Sequence, residues 1–277
     1  MAIKDVKKAV RTRYGKIAKG GGSCCSGPSC CGSNQGVDAM GKAVGYSDSD
    51  LASAPEGANL GLGCGNPLAL ASITKGETIL DLGSGAGFDC FLASKRTGAK
   101  GKVIGVDMTH EMLEKARENA AKGGYKNVEF RLGEIEHLPV PDNSIDVIIS
   151  NCVINLSTDK EQVFREAYRV LRPGGRLMVS DLVLNKPIPK KIMESVEAYV
   201  GCIAGAITKD GYLSGLKKAG FKDVKILNET TYPFETVLTD PATEQLMAGL
   251  EISPKEARSL AESVVSVKVA GTKKKGK

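Results

Sequence analysis

Residues 78–87, Thr78-Ile79-Leu80-Asp81-Leu82-Gly83-Ser84-Gly85-Ala86-Gly87, constrain the fold of this chain more than any other stretch. The apolar run Thr78–Leu82 reads as a buried strand. It leads into three glycines at alternate positions, and a helical pattern begins after Gly87. A strand that turns into a helix through glycines opens a βαβ unit, because a backbone without Cβ atoms can reverse sharply and approach a ligand closely. Asp107 ends the next strand-like run, about twenty residues on, where a carboxylate can accept hydrogen bonds from ribose hydroxyls. The glycine spacing separates two ligand classes. A dinucleotide turn is spaced G-x-G-x-x-G and seats a pyrophosphate on the helix N-terminus. Here the spacing is G-x-G-x-G, with Asp81 two residues ahead of the first glycine. That carboxylate would repel a pyrophosphate and suits a cationic ligand.

From Glu77 onward strands and helices alternate, which predicts a doubly wound, Rossmann-like α/β fold around a parallel sheet. Residues 102–106, 127–132, 145–150 and 176–183 read as further strands. Met112, Leu113, Ala116 and Ala120 form the apolar face of the helix after Asp107. Thr158 and Glu161 suggest a capping box for the next helix, with Val163, Phe164, Ala167, Val170 and Leu171 facing the core and Pro173-Gly174-Gly175 ending it. Residues 188–206 look helical, Thr208 caps a helix ending at Gly220, and residues 222–227 alternate as a strand does. Ser253-Pro254 with Glu256 opens another helix, and residues 265–269 alternate cleanly enough to close the sheet as an antiparallel strand. Upstream, Val6, Val10, Tyr14 and Ile17 recur at helical spacing over residues 5–18. Residues 20–36 read as a flexible loop and 37–66 as irregular chain. The expected organisation is an N-terminal helix and cysteine-rich loop (1–60), a Rossmann-like ligand-binding domain (61–184) and a smaller C-terminal region (185–277) that completes the sheet and the substrate site.

Composition narrows the function classes. A hydrophobic content of 42% is ample for a core, and no stretch approaches the roughly 20 apolar residues of a membrane span. Lys4, Lys7, Lys8, Arg11 and Arg13 are not followed by an apolar leader segment, so the expected location is the cytoplasm, away from membranes. The net charge of +6 is mild and sits partly in Lys273-Lys274-Lys275-Gly276-Lys277, expected to be a solvated, frayed tail. Without tryptophan, and without a basic stripe interleaved with aromatics, no nucleic-acid partner is expected.

Eight cysteines are many for a chain in a reducing compartment, where thiols rather than a disulfide scaffold are expected. Cys64 lies in Gly63-Cys64-Gly65-Asn66-Pro67, just before the first strand. Cys152 follows Asn151 at the end of the fourth. Cys202 lies in Gly201-Cys202-Ile203-Ala204-Gly205-Ala206, whose small residues permit close approach. Cys24-Cys25 and Cys30-Cys31 are vicinal pairs, and the Cys25 to Cys30 spacing also admits zinc. Cys90, on the core side of the helix after the glycine turn, reads as an inert buried thiol. His110, in a first helical turn, and His137, in a loop, read as structural. Burial alone accounts for any single cysteine here, since the residue is among the most often buried.

The strand-Asp-x-Gly-x-Gly-x-Gly turn resembles motif I of the class I methyltransferases, and Leu171-Arg172-Pro173-Gly174-Gly175 resembles the turn before strand five in those families. The resemblance implies S-adenosylmethionine as cosubstrate. Asp81, Gly83, Ser84, Gly85 and Gly87 would surround its methionine end, with Asp107 and Met108 at the ribose. Glu134, Ile135 and Glu136 would meet the adenine, and Asn151 would stand beside the sulfonium. A more specific resemblance extends over essentially the whole chain. Tyr14-Gly15, residues 46–52, 55–67, 81–91 and 150–156, and the Cys202 segment are similar to the arsenite methyltransferases. This implies that Cys64, Cys152 and Cys202 hold As(III), supplied as arsenite or as a conjugate of small thiols. It also implies that a cysteine of the N-terminal loop, Cys31 of the Cys30-Cys31 pair, forms the disulfide that restores the trivalent product, with thioredoxin or glutathione resetting it. The family usually has one such upstream pair, whereas this chain has two. Thiolates are the soft ligands a soft ion prefers. Three of them leave the arsenic lone pair exposed as a nucleophile, so proximity and orientation supply the rate without a general base. Residues 186–206 are expected to act as a lid that brings Cys202 over the substrate. Two other readings stand beside this one: methyl transfer to a quinone- or sterol-like acceptor with incidental cysteines, and a metalloid- or zinc-binding sensor without turnover.

Overall fold

Strands that are apolar on both faces must lie in the middle of a layered molecule, and they do. A computed structural model describes residues 3–20, 34–188, 190–231 and 252–276. Strand β1 (Thr78–Leu82) is buried at every position after its first, and β2 (Lys102–Asp107) and β4 (Ile145–Asn151) nearly so. That is the pattern of a parallel sheet covered by helices on both sides. With β3 (Val128–Leu132), β5 (Leu171–Leu184), β6 (Lys222–Thr231) and β7 (Val264–Thr272) they form one sheet of order β3-β2-β1-β4-β5-β7-β6. The pairs from β3 through β5 are parallel, whereas β7 runs antiparallel between β5 and β6. The chain runs outward from β1 to β2 and β3, then returns to the other side of β1 as β4 and runs on to β5, so the strand order reverses between β1 and β4. A crevice therefore opens outside their carboxyl ends.

The two-residue period of β1 divides the core. Ile79 faces Cys90 and Phe91 of α4 (Phe88–Thr97) and Leu113 and Ala116 of α5 (His110–Gly123). Leu80 and Leu82 face Val163, Phe164 and Ala167 of α6 (Lys160–Val170), with Tyr212 and Leu216 of the helix Lys209–Lys218. The first helix, α1 (Ile3–Ala18), lies along the mouth of the crevice. Val6 and Val10 join a cluster containing Cys64, Cys152 and Cys202, and Ile17 packs on Met112.

Several local expectations need correction. Residues 37–66 are not wholly irregular: α2 (Asn34–Ala43) and α3 (Asp48–Ser53) are helices too short to show a period, α3 being closed by a Ser47/Asp50 capping box. Asp159, not Thr158, caps α6, its carboxylate accepting the Gln162 N–H at 2.9 Å. Leu171 belongs to β5, and Pro173-Gly174-Gly175 lie in the register shift between the pairs Ile145↔Leu171 and Val147↔Arg176 rather than ending a helix. Residues 188–206 are not one helix. They form α7 (Lys190–Met193), α8 (Val196–Val200) and a turn at Cys202, after which Lys209–Lys218 is α9. Thr208 caps α9 as expected, Ser253 caps α10 (Pro254–Ser263), and β7 is the antiparallel strand foreseen near the C-terminus. The lysine tail starts packed: Lys273 Nζ donates to Tyr168 O at 2.7 Å and lies 4.6 Å from its ring centroid. Among the described residues, no helix is long and apolar enough to cross a membrane.

Phe164 is 1% exposed, with its ring 5.2 Å edge-on from Tyr212. Phe164→Ala removes that contact and leaves a cavity, so the unfolding free energy should fall by about 3–5 kcal/mol in a urea titration. A loss below about 1 kcal/mol would mean that this core face is not packed as described.

Candidate active site at the carboxyl ends of the strands

The glycine turn is pinned across β2, with the Gly83 and Ser84 N–H groups donating to Val106 O at 2.8 and 3.0 Å. Gly83 has φ +70°, and a Cβ there would lie 2.3 Å from Val153 Cγ2, so only glycine fits. Asp107 buttresses the turn by accepting the Gly85 N–H at 2.9 Å and the Thr109 N–H at 2.8 Å. Burial raises its pKa against the pull of those bonds. The Thr109 side chain and the Met108 backbone also bond to this carboxylate. Among the described residues Ser84 Oγ is buried without a hydrogen-bond partner, and it lines the same cleft. An unpaired hydroxyl there suits a polar ligand.

Asp81, Gly83, Ser84, Gly85, Asp107, Met108, Ile135, Glu136 and Asn151 all line this cleft. Two expected residues do not. A Cβ on Gly87 would sit 2.8 Å from the Phe130 and Phe91 rings, so that glycine serves packing. Glu134 turns to Lys7 of α1 at 2.7 Å, and Lys7 also lies 3.2 Å from Glu136. Glu136 is buried and accepts from Ser157 Oγ at 2.7 Å. Lys7, partly desolvated, is still held above the usual amine range by these two carboxylates. The N-terminal helix thus closes the cleft where adenine contacts were expected.

The other end of the cleft is acidic, and its carboxyl groups are buried. Burial and the charge of Asp89 push Asp81 well up, and Cys90 Sγ donates to Asp81 Oδ2 at 3.2 Å. Burial and Asp81 together raise the Cys90 thiol, consistent with its reading as inert. Burial pushes Asp89 up to about 6 although it accepts from Tyr46 Oη at 2.6 Å and Asn151 Nδ2 at 3.1 Å.

Beside that end the three cysteines converge from separate segments. Cys64 and Cys152, 88 positions apart, are joined as a disulfide with Cα atoms 5.7 Å apart. Cys202 Sγ donates to Cys152 O at 3.0 Å. The expectation of free thiols at Cys64 and Cys152 is therefore corrected. Only the reduced pair could bind a thiophilic ligand through sulfur. Cys152 (φ +60°) and Cys202 (φ +65°) both adopt the left-handed backbone, which costs a residue with a Cβ about 1–2 kcal/mol and clusters at functional sites. Gly205 makes the Cys202 turn possible, since a Cβ there would meet Asn155 O at 2.0 Å. Asn155 in turn donates to Asp181 Oδ1 at 2.9 Å and to Leu182 O at 2.7 Å. A carboxylate oxygen of Asp181 and the sulfurs of Cys64 and Cys152 lie within 4.8 Å of one another. Burial pushes Asp181 up to about 7 and the Cys202 thiol up to about 12. Cys24, Cys25, Cys30 and Cys31 lie outside the described residues. Sequence reasoning gave no role to Lys7, Tyr46, Asn155 or Asp181, although Tyr46 and Asn155 lie in the segments 46–52 and 150–156 that carry the resemblance. Asp89 sat in plain view at the end of the glycine-turn segment.

Residues 73–220 match the family described as a methyltransferase domain. A glycine turn, an acidic second strand and an open crevice at the switch point are the equipment of that class. The arsenite methyltransferase of Halobacterium salinarum is 52% identical over 229 residues, covering 80% of this chain and 59% of that protein. The arsenite methyltransferase of Aquipseudomonas alcaligenes is 41% identical over 174 residues, covering 60% and 50%. The crystal structure of CrArsM, an arsenic(III) S-adenosylmethionine methyltransferase from Chlamydomonas reinhardtii, superposes with a TM-score of 0.61 at 31% identity, over 85% of this chain and 73% of that one. The chain belongs to the arsenite methyltransferase family, and it spans between half and three-fifths of the length of the two curated relatives.

Two outcomes follow from this geometry. Gly205→Ala forces the Cys202 turn off Asn155 and should make the buried Cys202 thiol react faster with a thiol reagent while leaving the helical circular dichroism unchanged; unchanged reactivity would show that the close approach is dispensable. Asp181 has a folded pKa of about 7 against an ordinary 3.8. Its penalty is absent below pH 4, grows as the unfolded carboxyl ionises first, and is complete above pH 7. Relative to Asp181→Asn, the native protein should lose about 1.4 kcal/mol of stability per pH unit within that window. Parallel denaturation curves between pH 4 and 8 would refute the assignment.

Proposed function

We propose that the protein transfers a methyl group from S-adenosylmethionine to trivalent arsenic held by Cys64, Cys152 and Cys202. The observation that carries this reading is the meeting of three cysteines from three segments beside the cleft that the glycine turn opens. When bound, S-adenosylmethionine supplies an electrophilic methyl group on a cationic sulfur. The chain does the rest by placement. The Gly83–Gly85 backbone and Asp107 hold the nucleoside, with Ile135 available to the adenine face and Glu136 to its edge. Asp81 and Asp89 offer negative charge to a cationic ligand, which would draw both carboxyls down from their raised state. The glycine turn touches the thiol turn through Val153, so the two reactants would be neighbours, and orientation supplies much of the rate.

The thiols act first as ligands. Each gives up its proton to a departing hydroxide or thiolate of arsenite or its thiol conjugate, and three sulfurs leave the arsenic lone pair exposed. That pair forms the arsenic–carbon bond while the sulfonium sulfur keeps the pair of the broken sulfur–carbon bond. Arsenic has then lost two electrons. Two thiolate ligands leaving together as a disulfide return those electrons to arsenic, and two small-molecule thiolates then bind it and displace the third cysteine, freeing a trivalent methylated product. Cys64 and Cys152, already joined as a disulfide, are the pair suited to this step. Cys31 or its neighbours in the N-terminal loop would relay the oxidising equivalents to a cytoplasmic reductant such as thioredoxin or glutathione.

The reading is tested by S-adenosylhomocysteine release from the reduced protein given S-adenosylmethionine, arsenite and excess thiol. Turnover should require arsenite and fall at least about a hundredfold in Cys152→Ser and in Cys202→Ser, because each loses a ligand that orients the nucleophile. Full activity in both variants would point to a carbon or oxygen acceptor. Tight arsenite binding without product would point to a sensor.

A further inference from the structure

Asn151 was expected beside the cofactor, yet its polar atoms are committed elsewhere. Oδ1 accepts the Cys64 backbone N–H at 3.1 Å. Nδ2 donates to Gly65 O at 2.8 Å, with Tyr46 Oη at 2.9 Å and Asp89 Oδ2 at 3.1 Å completing its surroundings. Tyr46 spends its own proton on Asp89 Oδ1 at 2.6 Å. The amide therefore has one workable orientation. Flipping it would set Nδ2 against the Cys64 N–H and Oδ1 against a carbonyl and a carboxylate. Gly63 admits the side chain, since a Cβ there would meet Nδ2 at 2.6 Å.

Cys64 needs such a tether. It lies in a segment without helix or strand, so no ladder fixes where its sulfur points. Ser266 Oγ donates to Cys64 O at 2.8 Å, and Asn151 holds the opposite side of the same residue. Asn151 is also bonded covalently to Cys152. We propose that Asn151 is the positioning residue of the arsenic site, setting the separation of Cys64 from Cys152, and that Tyr46 and Asp89 hold its amide in register. The proposal rests on the thiolate–arsenic reading above.

The two ideas fail differently. The reduced protein is titrated with sodium arsenite, following the near-ultraviolet absorbance of arsenic–thiolate bonds, and separately with S-adenosylhomocysteine by calorimetry. An unmodified protein without the absorbance band would remove the parent reading, and this proposal with it. Where the band forms, Tyr46→Phe should weaken arsenite binding about tenfold, the factor that one buried hydrogen bond carries, and Asn151→Ala should weaken it further. S-adenosylhomocysteine affinity should fall by a clearly smaller factor than arsenite affinity in both variants, since Asn151 Oδ1 holds Cys64 whereas Tyr46 and Asp89 only border the cleft. In turnover the KM for arsenite should rise by more than that for S-adenosylmethionine. Arsenite affinity unchanged in both variants would overturn the proposal. So would an equal loss of both ligands, which marks a general structural role, or a loss confined to S-adenosylhomocysteine, which marks a cofactor contact.

Discussion

The turn at Cys152 is the constraint on which both halves of the site depend. Its N–H donates to Ser180 O at 2.8 Å and its carbonyl receives Cys202 Sγ at 3.0 Å. Those two bonds fix a residue whose left-handed backbone is unfavourable in isolation. Burial of Ile154 and Leu156 immediately downstream offsets the strain. Val153, one residue on, fills the space that a side chain at Gly83 would take. The cofactor turn and the thiol turn are thus in van der Waals contact through a single valine. In a close-packed interior a displacement at either is felt at the other.

Electrostatics follows from how deeply this region is buried. Asp81, Asp89 and Asp181 are all raised by burial, and the Cys202 thiol is raised with them. Lys160 is one of the nearby cations, and burial lowers its pKa. The free site thus favours uncharged carboxyl and thiol groups. On the proposed reading, a cationic sulfonium and a thiophilic ion would invert that preference, because positive charge in a poorly screened pocket stabilises carboxylate and thiolate together.

What could be read from the sequence was what repeats or punctuates. β1, its glycine turn and the buried β4 were legible because strand burial and glycine spacing are local signals, and all three cysteines proved to lie at one end of the sheet. The supports were not legible. The Tyr46–Asp89 bond spans 43 positions and the Asn151–Tyr46 bond 105, and no periodicity reports such contacts. Short helices such as α3 are six residues long and show less than two turns of pattern. At Asp159 two neighbouring residues were both competent caps, and tertiary placement chose between them. Glu134 was assigned to the adenine because its position on the strand end was right. Lys7, brought over by an N-terminal helix more than a hundred positions away, claims its carboxylate instead.

The division of labour between sheet and loops explains why fold alone says little about the acceptor. The crevice at the switch point between β1 and β4 follows from strand order, and any chain with this order gains a place for a nucleoside. The acceptor side is different. Cys64 comes from a segment without regular structure, Cys202 from a turn between short helices, and only Cys152 is fixed directly by a strand end. Two of the three sulfurs therefore depend on side-chain tethers and close backbone contacts: Asn151 and Ser266 for the first, Gly205 against Asn155 for the second. Substitutions in those tethers can change which acceptor fits without touching the core that holds the sheet. On the proposed reading, selectivity for a thiophilic substrate would reside in this lightly built layer, laid over a frame that would carry another acceptor equally well.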